Sequence, residues 1–553
     1  MSTFFDTHKE MLDKAIETAR TREYWSAFPE IPSGKIYGES AKADGQAAFE
    51  GYLNNIFQIE GHPQETTLGA EESPYGIDLS ISYPAASVDT LIKASTLAGK
   101  SWGAASIEDR TGVCLEILSR LNKHSFEIGN AVMHTTGQAF IMAFQAGGPH
   151  AQDRGLEAVS YAYQEMARTP ASAIWAKPVG KGAVDTLRKN YRIVPKGIAL
   201  EIGCATFPTW NGYPGLFASL VTGNSVIVKP HPKAILPLAI SVKIARDVLK
   251  EAGFDPNVML LAADTPEAQI TKELAQNELV KIIGFTGSNL FAQWLRDNAK
   301  HADVYTEESG VNSIVIASTD NFRGMCGNIG FSLSLYSGQM CTAPQNIYVP
   351  EGGIETDQGH KSFTEVADGI KGAVDGLLKD PARAAGVCGA VANDEIIKRV
   401  THQQQKGDVL RASAKVDGLE NARTATPLIL KVSSTKDEAH KHECFGPISF
   451  VVASPSISTA IGEAADLAAQ KGAITAAIYA TDEKVLDEAS EAFGYAGVNL
   501  SCNLTGGIFV NQSAAFSDFH VTGANPAGNA SLTDSAFVSK RFRVVATRRP
   551  VVD

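Results

Sequence analysis

The stretch Gly197-Ile-Ala-Leu-Glu-Ile202 is an apolar run of strand length, and the surrounding sequence repeats the pattern. Similar runs occur at 225–229, 280–285 and 313–317, and they alternate with segments of helical apolar spacing such as 235–253. Buried strands that alternate with helices are typical of a parallel sheet covered by helices. The sequence therefore predicts an α/β fold.

The regions outside this block have different patterns. Residues 87–167 are mostly helical in spacing, and a second alternating block extends from about 309 to 475. Two β-type runs with polar flanks, 191–194 and 542–547, lie outside both blocks. We expect these two runs to form a small projecting sheet that pairs between subunits.

Composition excludes several classes of protein. The 553 residues are 44% hydrophobic and 20% charged, which is ordinary for a globular protein of two or three domains. A net charge of −12 argues against nucleic acid or an anionic membrane as the main partner. The seven cysteines are scattered without a CxxC pair, so neither a disulfide framework nor a metal site is expected. No signal peptide or membrane span is evident, and we expect a cytoplasmic protein.

The stretch Tyr336-Ser-Gly-Gln-Met-Cys-Thr-Ala343 contains the candidate nucleophile, Cys341. Thiols attack carbonyl carbons well, and the small residues after Cys341 favour a helix N-terminus, which would lower the thiol pKa. The competing interpretation is a buried structural cysteine, the usual fate of a free cysteine. Cys444, inside another motif, is the one rival nucleophile.

Adjacent carboxylates, Glu307 and Glu308, follow a strand pattern upstream of this cysteine. A solvated surface pair is the ordinary interpretation, and a general base that activates water is the functional one. The strand register decides which glutamate would enter a cleft. Asn211 lies in the loop that follows the strand pattern 197–202, and its side chain either stabilises a turn or donates to an oxyanion.

Two further segments indicate a nucleotide site. Lys229 ends an apolar strand, at the edge where open α/β sheets bind ligands. Gly287 and Ser288 lie between a strand and a helix, and a helix N-terminus attracts phosphate. Without a full GxGxxG pattern, this segment alone is weak evidence for a dinucleotide.

Six segments in this order resemble the aldehyde dehydrogenase superfamily. They are Trp210-Asn211, Gly223-Asn-Ser-Val-Ile-Val-Lys-Pro230, Phe285-Thr-Gly-Ser288, Glu307-Glu-Ser-Gly310, Gly338-Gln-Met-Cys341 and Glu443-Cys-Phe-Gly-Pro447. The resemblance implies an aldehyde-dehydrogenase-like α/β fold, with a Rossmann-like cofactor domain, an α/β catalytic domain and a small β oligomerisation flap. It also implies NAD(P)-dependent oxidation of an aldehyde to a carboxylic acid through a thiohemiacetal and a thioester.

The resemblance assigns a role to each matched residue. Cys341 is the implied nucleophile, Glu307 the general base, and Asn211 part of the oxyanion hole. The implied cofactor-binding residues are Lys229, Gly287, Ser288, Glu443, Phe445, Trp210 and Lys233. Since Glu308 and Glu443 are also near motifs, the choice of base among the three glutamates stays open.

The resemblance also divides the chain. We expect an N-terminal extension packed on the cofactor domain (1–86), a cofactor-binding domain (87–308) with an oligomerisation strand near 183–197, and a catalytic domain (309–503). Residues 504–553 are expected to form a C-terminal return and a second oligomerisation strand. An exposed sheet edge needs a partner, so a homodimer or a dimer of dimers is expected.

Position 232 bears on the choice of cofactor. Many NAD-preferring members have an acidic ribose ligand three residues after the lysine, and this chain has Pro232 there. Without that carboxylate a 2′-phosphate meets no repulsion, and Lys233 would be able to pair with it. The sequence therefore favours NADP over NAD.

The N-terminal segments Arg20–Trp25 and Lys35–Glu39 resemble the PaaN-type proteins of phenylacetate degradation, in a stand-alone form without a hydratase domain. This resemblance implies a ring-opened, CoA-linked semialdehyde as substrate. The alternatives are a CoA-acylating dehydrogenase and a non-catalytic binding protein on the same scaffold. A cysteine hydrolase would need a histidine partner, and none of the twelve histidines lies in a recognisable site.

Overall fold

The computed structural model describes residues 3–308 and 310–551. The α-helices are α1 (Thr3–Thr21), α2 (Gly34–Tyr37), α3 (Ala41–Glu50), α4 (Val88–Ala104), α5 (Ile107–Lys123), α6 (Ser125–Thr136), α7 (Phe140–Gly147), α8 (Pro149–Ala167), α9 (Pro208–Val221), α10 (Leu236–Glu251), α11 (Thr271–Gln276), α12 (Asn289–Asn298), α13 (Phe322–Ser334), α14 (Phe363–Leu378), α15 (Pro381–Cys388), α16 (Asp394–Gln403), α17 (Ile457–Lys471), α18 (Glu483–Tyr495) and α19 (Ser535–Ser539). The strands are β1 (Thr66–Leu68), β2 (Tyr83–Ala85), β3 (Ser172–Gly180), β4 (Ala183–Pro195), β5 (Ile198–Ile202), β6 (Ser225–Lys229), β7 (Met259–Leu261), β8 (Val280–Gly287), β9 (Asp303–Glu308), β10 (Asn312–Ile316), β11 (Ser318–Thr319), β12 (Pro344–Pro350), β13 (Ile354–Thr356), β14 (Gly359–Lys361), β15 (Asp408–Arg411), β16 (Leu428–Ser433), β17 (Ile448–Ser454), β18 (Thr475–Tyr479), β19 (Asn499–Cys502) and β20 (Phe542–Pro550).

The first sheet is parallel, with strand order β7-β6-β5-β8-β9. Its central strand β5 is fully buried, as its unbroken apolar run predicts. The order reverses at β5, because the chain moves outward through β6 and β7 and returns on the other side through β8 and β9. Such a switch point opens a crevice at the carboxyl ends of the strands, the usual ligand site of an open α/β sheet.

The second sheet has the order β15-β16-β17-β12-β10-β18-β19. Its strands are parallel except for β15, which runs antiparallel to β16 at one edge. Helices α13 and α14 pack against one face and α17 and α18 against the other. The two parallel sheets and their helical layers confirm the predicted α/β fold class.

A small antiparallel sheet with the order β20-β4-β3 lies apart from both. The predicted pairing of 191–194 with the C-terminal run is present, with Val194 opposite Arg543. The sequence analysis did not predict β3, which pairs with β4 through a hairpin. This sheet, called the flap below, has apolar side chains exposed on it, including Ile174, Trp175 and Val545.

The N-terminal segment packs on the helices of the first sheet. Phe5 and Leu12 of α1 are buried in the same core as Leu115 and Leu118 of α5. Further along, the buried Glu71 accepts hydrogen bonds from backbone N–H groups at the start of α10. Among the described residues, no helix combines the length and the apolar character that crossing a membrane requires.

Candidate active site

Cys341 lines a cavity of about 630 Å³. Asn211, Trp210 and His520 line the same cavity. Tyr24, Trp25, Ser26 and Glu30 of the N-terminal segment also line it. Segments distant in sequence therefore form one cavity with the thiol in its wall.

Cys341 lies between a 3₁₀ turn (Leu335–Gly338) and the central strand β12. The expected helix N-terminus is absent at this position, because the residues after Cys341 turn directly into a strand. Tyr336 and Ser337 have φ of 49° and 50°, in the left-handed region that non-glycine residues seldom adopt. Such strain persists only where the surrounding structure holds it, and it concentrates at functional sites.

Hydrogen bonds fix this strained turn. The Ser337 hydroxyl donates to the carbonyls of Cys388 and Ala425, at 3.1 and 2.9 Å. Gly338 has φ of +62°, and a Cβ there would lie 2.4 Å from the carbonyl oxygen of Gly446. Only glycine therefore allows the nucleophile turn to contact the Glu443–Pro447 motif.

Glu307 and Glu308 end β9 and point in opposite directions. Glu307 is 1% exposed, and its Oε2 accepts a 2.7 Å hydrogen bond from Asn211 Nδ2. Glu308 instead pairs with Arg296 of α12, at 2.5 Å. Strand alternation thus directs Glu307 to the thiol and Glu308 away from it.

His520 contacts the other oxygen of Glu307, with Nε2 3.0 Å from Oε1. Both side chains are buried, and their contacting atoms lie within 4.8 Å of the Cys341 sulfur. The sequence analysis did not identify this histidine. It belongs to the long irregular segment after β19, which has no periodic pattern to reveal a neighbour.

The local electrostatics favour a neutral thiol beside an ionised carboxylate. Burial and the adjacent Glu307 carboxylate raise the pKa of Cys341 well above its usual value. Burial opposes ionisation of Glu307 as well, but His520, the Cys341 thiol and Asn211 together lower the pKa of Glu307. The expected lowering of the thiol pKa by a helix dipole is therefore wrong for this conformation.

Asn211 lies in the first turn of α9, whereas the sequence analysis placed it in a loop after β5. Pro208 starts this helix, in agreement with the preference for proline at the first helical position. Asn211 Oδ1 is 3.5 Å from the Cys204 sulfur, and its amide nitrogen donates to Glu307. The helix α9 therefore places the Asn211 side chain in the lining of the cavity.

The predicted phosphate and ribose contacts lie on either side of β5. Lys229 ends β6, and Ser288 caps α12 after Gly287 ends β8. The first turn of α12 is exposed, and the Ser288 hydroxyl accepts from the Phe291 N–H at 3.4 Å. The phosphate role of Ser288 and the ribose role of Lys229 stay predictions.

The Lys229 ammonium is already paired. It lies 2.8 Å from Asp264 Oδ1 and donates to the Pro230 carbonyl at 2.5 Å. Both partners of the ion pair are almost fully buried, whereas Lys233 is exposed. The sequence argument for NADP assumed that no carboxylate lies near Lys229, and Asp264 contradicts that assumption.

The remaining predicted cofactor residues, Glu443, Phe445 and Trp210, lie in different surroundings. Glu443 is exposed, and Phe445 is half-buried with its carbonyl accepting from Arg399. Trp210, also predicted to contact the cofactor, lies edge-on to His520 with 4.6 Å between ring centroids. Its position in the cavity wall is on the same side as the thiol.

This combination of two parallel sheets, a shared crevice and a cysteine–glutamate–asparagine centre defines a class. The chain belongs to the aldehyde dehydrogenase family, whose pattern matches residues 81–516. Membership in this family identifies it as an oxidoreductase.

Three relatives illustrate the range of similarity. An NAD-dependent aldehyde dehydrogenase from Burkholderia multivorans, of known crystal structure, is 54% identical, with a TM-score of 0.98 over 100% of this chain and 99% of that one. N-succinylglutamate 5-semialdehyde dehydrogenase of Pseudomonas fluorescens (strain Pf0-1) is 26% identical over 392 residues, 69% of this chain and 75% of that protein. A Thermus 1-pyrroline-5-carboxylate dehydrogenase is 17% identical, with a TM-score of 0.73 over 96% of this chain and 99% of that one, and shows likeness of fold alone.

Proposed function

We propose that the protein oxidises an aldehyde to a carboxylic acid, with Cys341 as nucleophile, Glu307 as general base and Asn211 as oxyanion donor. The observation that supports this most strongly is that Cys341 and Asn211 line one cavity and that the buried Glu307 contacts both of them. A nucleophile, a base and an oxyanion donor are the groups that acyl chemistry through a thioester requires.

A nicotinamide dinucleotide, when bound, supplies the hydride acceptor. The Cys341 thiol loses its proton to solvent in the cavity, and the thiolate adds to the aldehyde carbon. The Asn211 amide and the backbone N–H of Cys341 then stabilise the oxyanion, and loss of hydride leaves a thioester on Cys341. Glu307 next deprotonates water, which attacks the thioester carbonyl, and the thiolate departs as the acid forms.

NAD is the cofactor that we propose, although the sequence favours NADP. Asp264 neutralises the Lys229 ammonium and adds a carboxylate near the position expected for the adenosine ribose. Burial raises the pKa of Asp264, and the lysine opposes this shift. A buried carboxylate beside the ribose would repel a 2′-phosphate.

The cavity lining favours an aldehyde with an apolar chain. Its apolar side chains include Trp25, Met142, Phe207, Trp210, Met340 and Phe509. The Pseudomonas relative is named for a semialdehyde with two carboxylates, which would require free cations. Among the described lining residues, Arg154, His150 and His520 each already contact a glutamate.

The ring-opened, CoA-linked semialdehyde of phenylacetate degradation is the finer candidate, and it rests on the N-terminal resemblance. The same N-terminal segment that carries the resemblance also supplies part of the cavity wall, since Ser26 and the Ala27 N–H donate to Asp153 at 2.5 and 3.1 Å.

We also propose that the flap mediates a homodimer or a dimer of dimers. The exposed apolar side chains of the flap and its open edge at β3 support this arrangement. Light scattering after size exclusion would show a multiple of the chain mass, and a monomer at micromolar concentration would refute the proposal.

The decisive experiment follows reduced-nicotinamide absorbance with NAD and with NADP in separate assays. The aldehydes are an unbranched apolar aldehyde, N-succinylglutamate 5-semialdehyde and a CoA-linked semialdehyde. We expect turnover with an apolar or CoA-linked aldehyde, faster with NAD, and none for Cys341→Ala. Cys444→Ala is the matched control, because Cys444 is the other buried motif cysteine and lies outside the cavity.

Each alternative has its own outcome in this assay. Turnover that requires free CoA would indicate the CoA-acylating alternative. A protein that hydrolyses a thioester and shows no nicotinamide-dependent oxidation of aldehydes would be a cysteine hydrolase. Absence of both turnover and cofactor binding would refute the proposed function.

A further inference from the structure

His520 is a buried histidine at the reaction centre that the three-residue mechanism does not use. Its side chain is 2% exposed, and its Nε2 lies 3.0 Å from Glu307 Oε1. Its backbone carbonyl accepts from Leu532, and the next residue, Val521, has φ of 60°. A non-glycine residue in the left-handed region is unfavourable, so the segment holds His520 in place at some conformational cost.

The environment of Glu307 explains why such a partner matters. A carboxyl group buried to this degree ordinarily keeps its proton, because burial disfavours the charged form. A protonated Glu307 is not a base. Asn211 donates a hydrogen bond to Oε2 of Glu307, and His520 contacts Oε1.

The other charged or titratable groups around the pair are accounted for. The Cys341 thiol lines the cavity, and the Cys204 thiol lies near both Cys341 and Glu307. Arg154 lies behind Trp210, 5.1 Å from the centre of its ring, and is paired with Glu157. On the far face of β9, Glu308 is paired with Arg296. His520 is therefore the titratable nitrogen group that contacts Glu307, beside the Asn211 amide and the Cys341 thiol.

We propose that His520 is a positioning residue that donates its Nε2–H to Glu307 Oε1, keeps this carboxylate ionised, and aims its other oxygen at the thiol and at the water that hydrolyses the thioester. An ionised carboxylate only accepts hydrogen bonds, so the shared proton belongs to the imidazole. This inference rests on the proposed function for the water step, but the ionisation of Glu307 can be measured without turnover.

Hydrolysis of the thioester on Cys341 requires one proton transfer to Glu307. The water oxygen forms a bond to the thioester carbonyl carbon as its proton passes to Glu307. The tetrahedral intermediate collapses, the carbon–sulfur bond breaks, and the Cys341 thiolate takes the electron pair. The proton on Glu307 then leaves through the cavity, which both His520 and Cys341 line. His520 keeps its own proton throughout.

The experiment compares His520→Leu, which has no donor, with His520→Asn, which keeps an N–H. In the leucine variant we expect the pre-steady-state burst of reduced cofactor to persist while steady-state turnover falls about 10- to 100-fold. The acid limb of the steady-state pH profile is expected to move up by about one unit or more, because Glu307 would need higher pH to ionise. The asparagine variant is expected to recover part of the steady-state turnover and to show a smaller shift of the acid limb.

Infrared difference spectroscopy tests the ionisation directly. The spectrum of His520→Leu minus that of His520→Leu/Glu307→Gln is expected to show the carbonyl band of a protonated carboxyl group at neutral pH. The spectrum of the unmodified protein minus that of Glu307→Gln, both of which keep His520, is expected to show the bands of a carboxylate. A carboxylate in both, or a leucine variant with unchanged turnover and pH profile, would overturn the proposal.

The controls separate this role from a structural one. His8→Gln removes another histidine–glutamate pair, His8–Glu116 at 2.7 Å, which lies on α1 and α5 outside the cavity. It is expected to leave the burst, turnover and pH profile unchanged. If His520→Leu does not fold, His520→Ala and His520→Gln form a second pair that differs in the same donor. If no aldehyde gives turnover in the unmodified protein, the proposed function fails, and the infrared result still decides the role of His520.

Discussion

The proposed cofactor side and the proposed aldehyde side of the centre are built differently. On the cofactor side, Lys229, Gly287 and Ser288 each lie at the end of a strand or the start of the next helix. On the aldehyde side, the cavity joins an N-terminal segment, α9, the turn before β12 and the irregular segment that contains His520. The first is assembled from local strand–helix units, and the second from segments hundreds of residues apart.

This difference explains which side of the centre can be predicted more readily from the sequence. A strand–turn–helix unit fixes the position of its polar residues by local periodicity and by the common direction of parallel strands. A contact such as that between His520 and Glu307 depends on the path of a loop that has no period. The four predictions below test the contrast, beginning with the aldehyde side.

The largest effect is expected from the two adjacent glutamates. Glu307→Gln is expected to lower steady-state turnover about 10²- to 10⁴-fold while a burst of reduced cofactor remains, because only the deacylation base is lost. Glu308→Gln is the matched control, since its side chain contacts Arg296. Equal losses in both variants, measured by rapid mixing, would contradict the assignment from strand register.

Asn211→Ala is expected to reduce kcat about 10²- to 10³-fold, or about 3 kcal/mol of barrier, through loss of an oxyanion donor. Asn211→Asp keeps the size but loses the donor and adds charge beside Glu307, so it is expected to be no better. A change confined to KM would show that Asn211 only positions substrate. Steady-state kinetics with the best aldehyde make the measurement.

The raised pKa of Cys341 predicts a steep pH dependence of thiol alkylation. Below that pKa the thiolate fraction rises with pH, so the rate of iodoacetamide modification is expected to increase about tenfold per unit across the neutral range. Glu307→Gln removes the adjacent negative charge and is expected to quicken alkylation at a given pH. A rate that is flat with pH near neutrality would mean that the thiol is already ionised.

On the cofactor side, Asp264→Asn is expected to shift the ratio of kcat/KM for NADP over NAD upward by about tenfold, because it removes a carboxylate that repels a 2′-phosphate. Lys233→Met tests the competing sequence interpretation. If that variant alone abolishes NADP use and Asp264→Asn changes nothing, Lys233 sets the preference. Initial rates with both cofactors decide between the two.

Particular elements show how far sequence analysis reached. The bounds predicted for β6 agree with the structure, and α12 begins directly after Ser288 as expected, because both have clear end signals. The Glu307–Cys341–Asn211 set was gathered from motifs, and the structure brings the three side chains together. The helix expected after Cys341 is a strand instead, since small residues favour either, and the central position of β12 in the sheet decided between them.

The sequence by itself determined the family and the α/β fold and predicted the residues of the centre, because these depend on local periodicity and on residue types at fixed positions. Tertiary structure alone decided that Glu307 faces the thiol, that Asp264 pairs with Lys229, and that His520 contacts the base. Each of these contacts joins segments whose distance in the chain carries no pattern, so only the packing of the whole molecule specifies them.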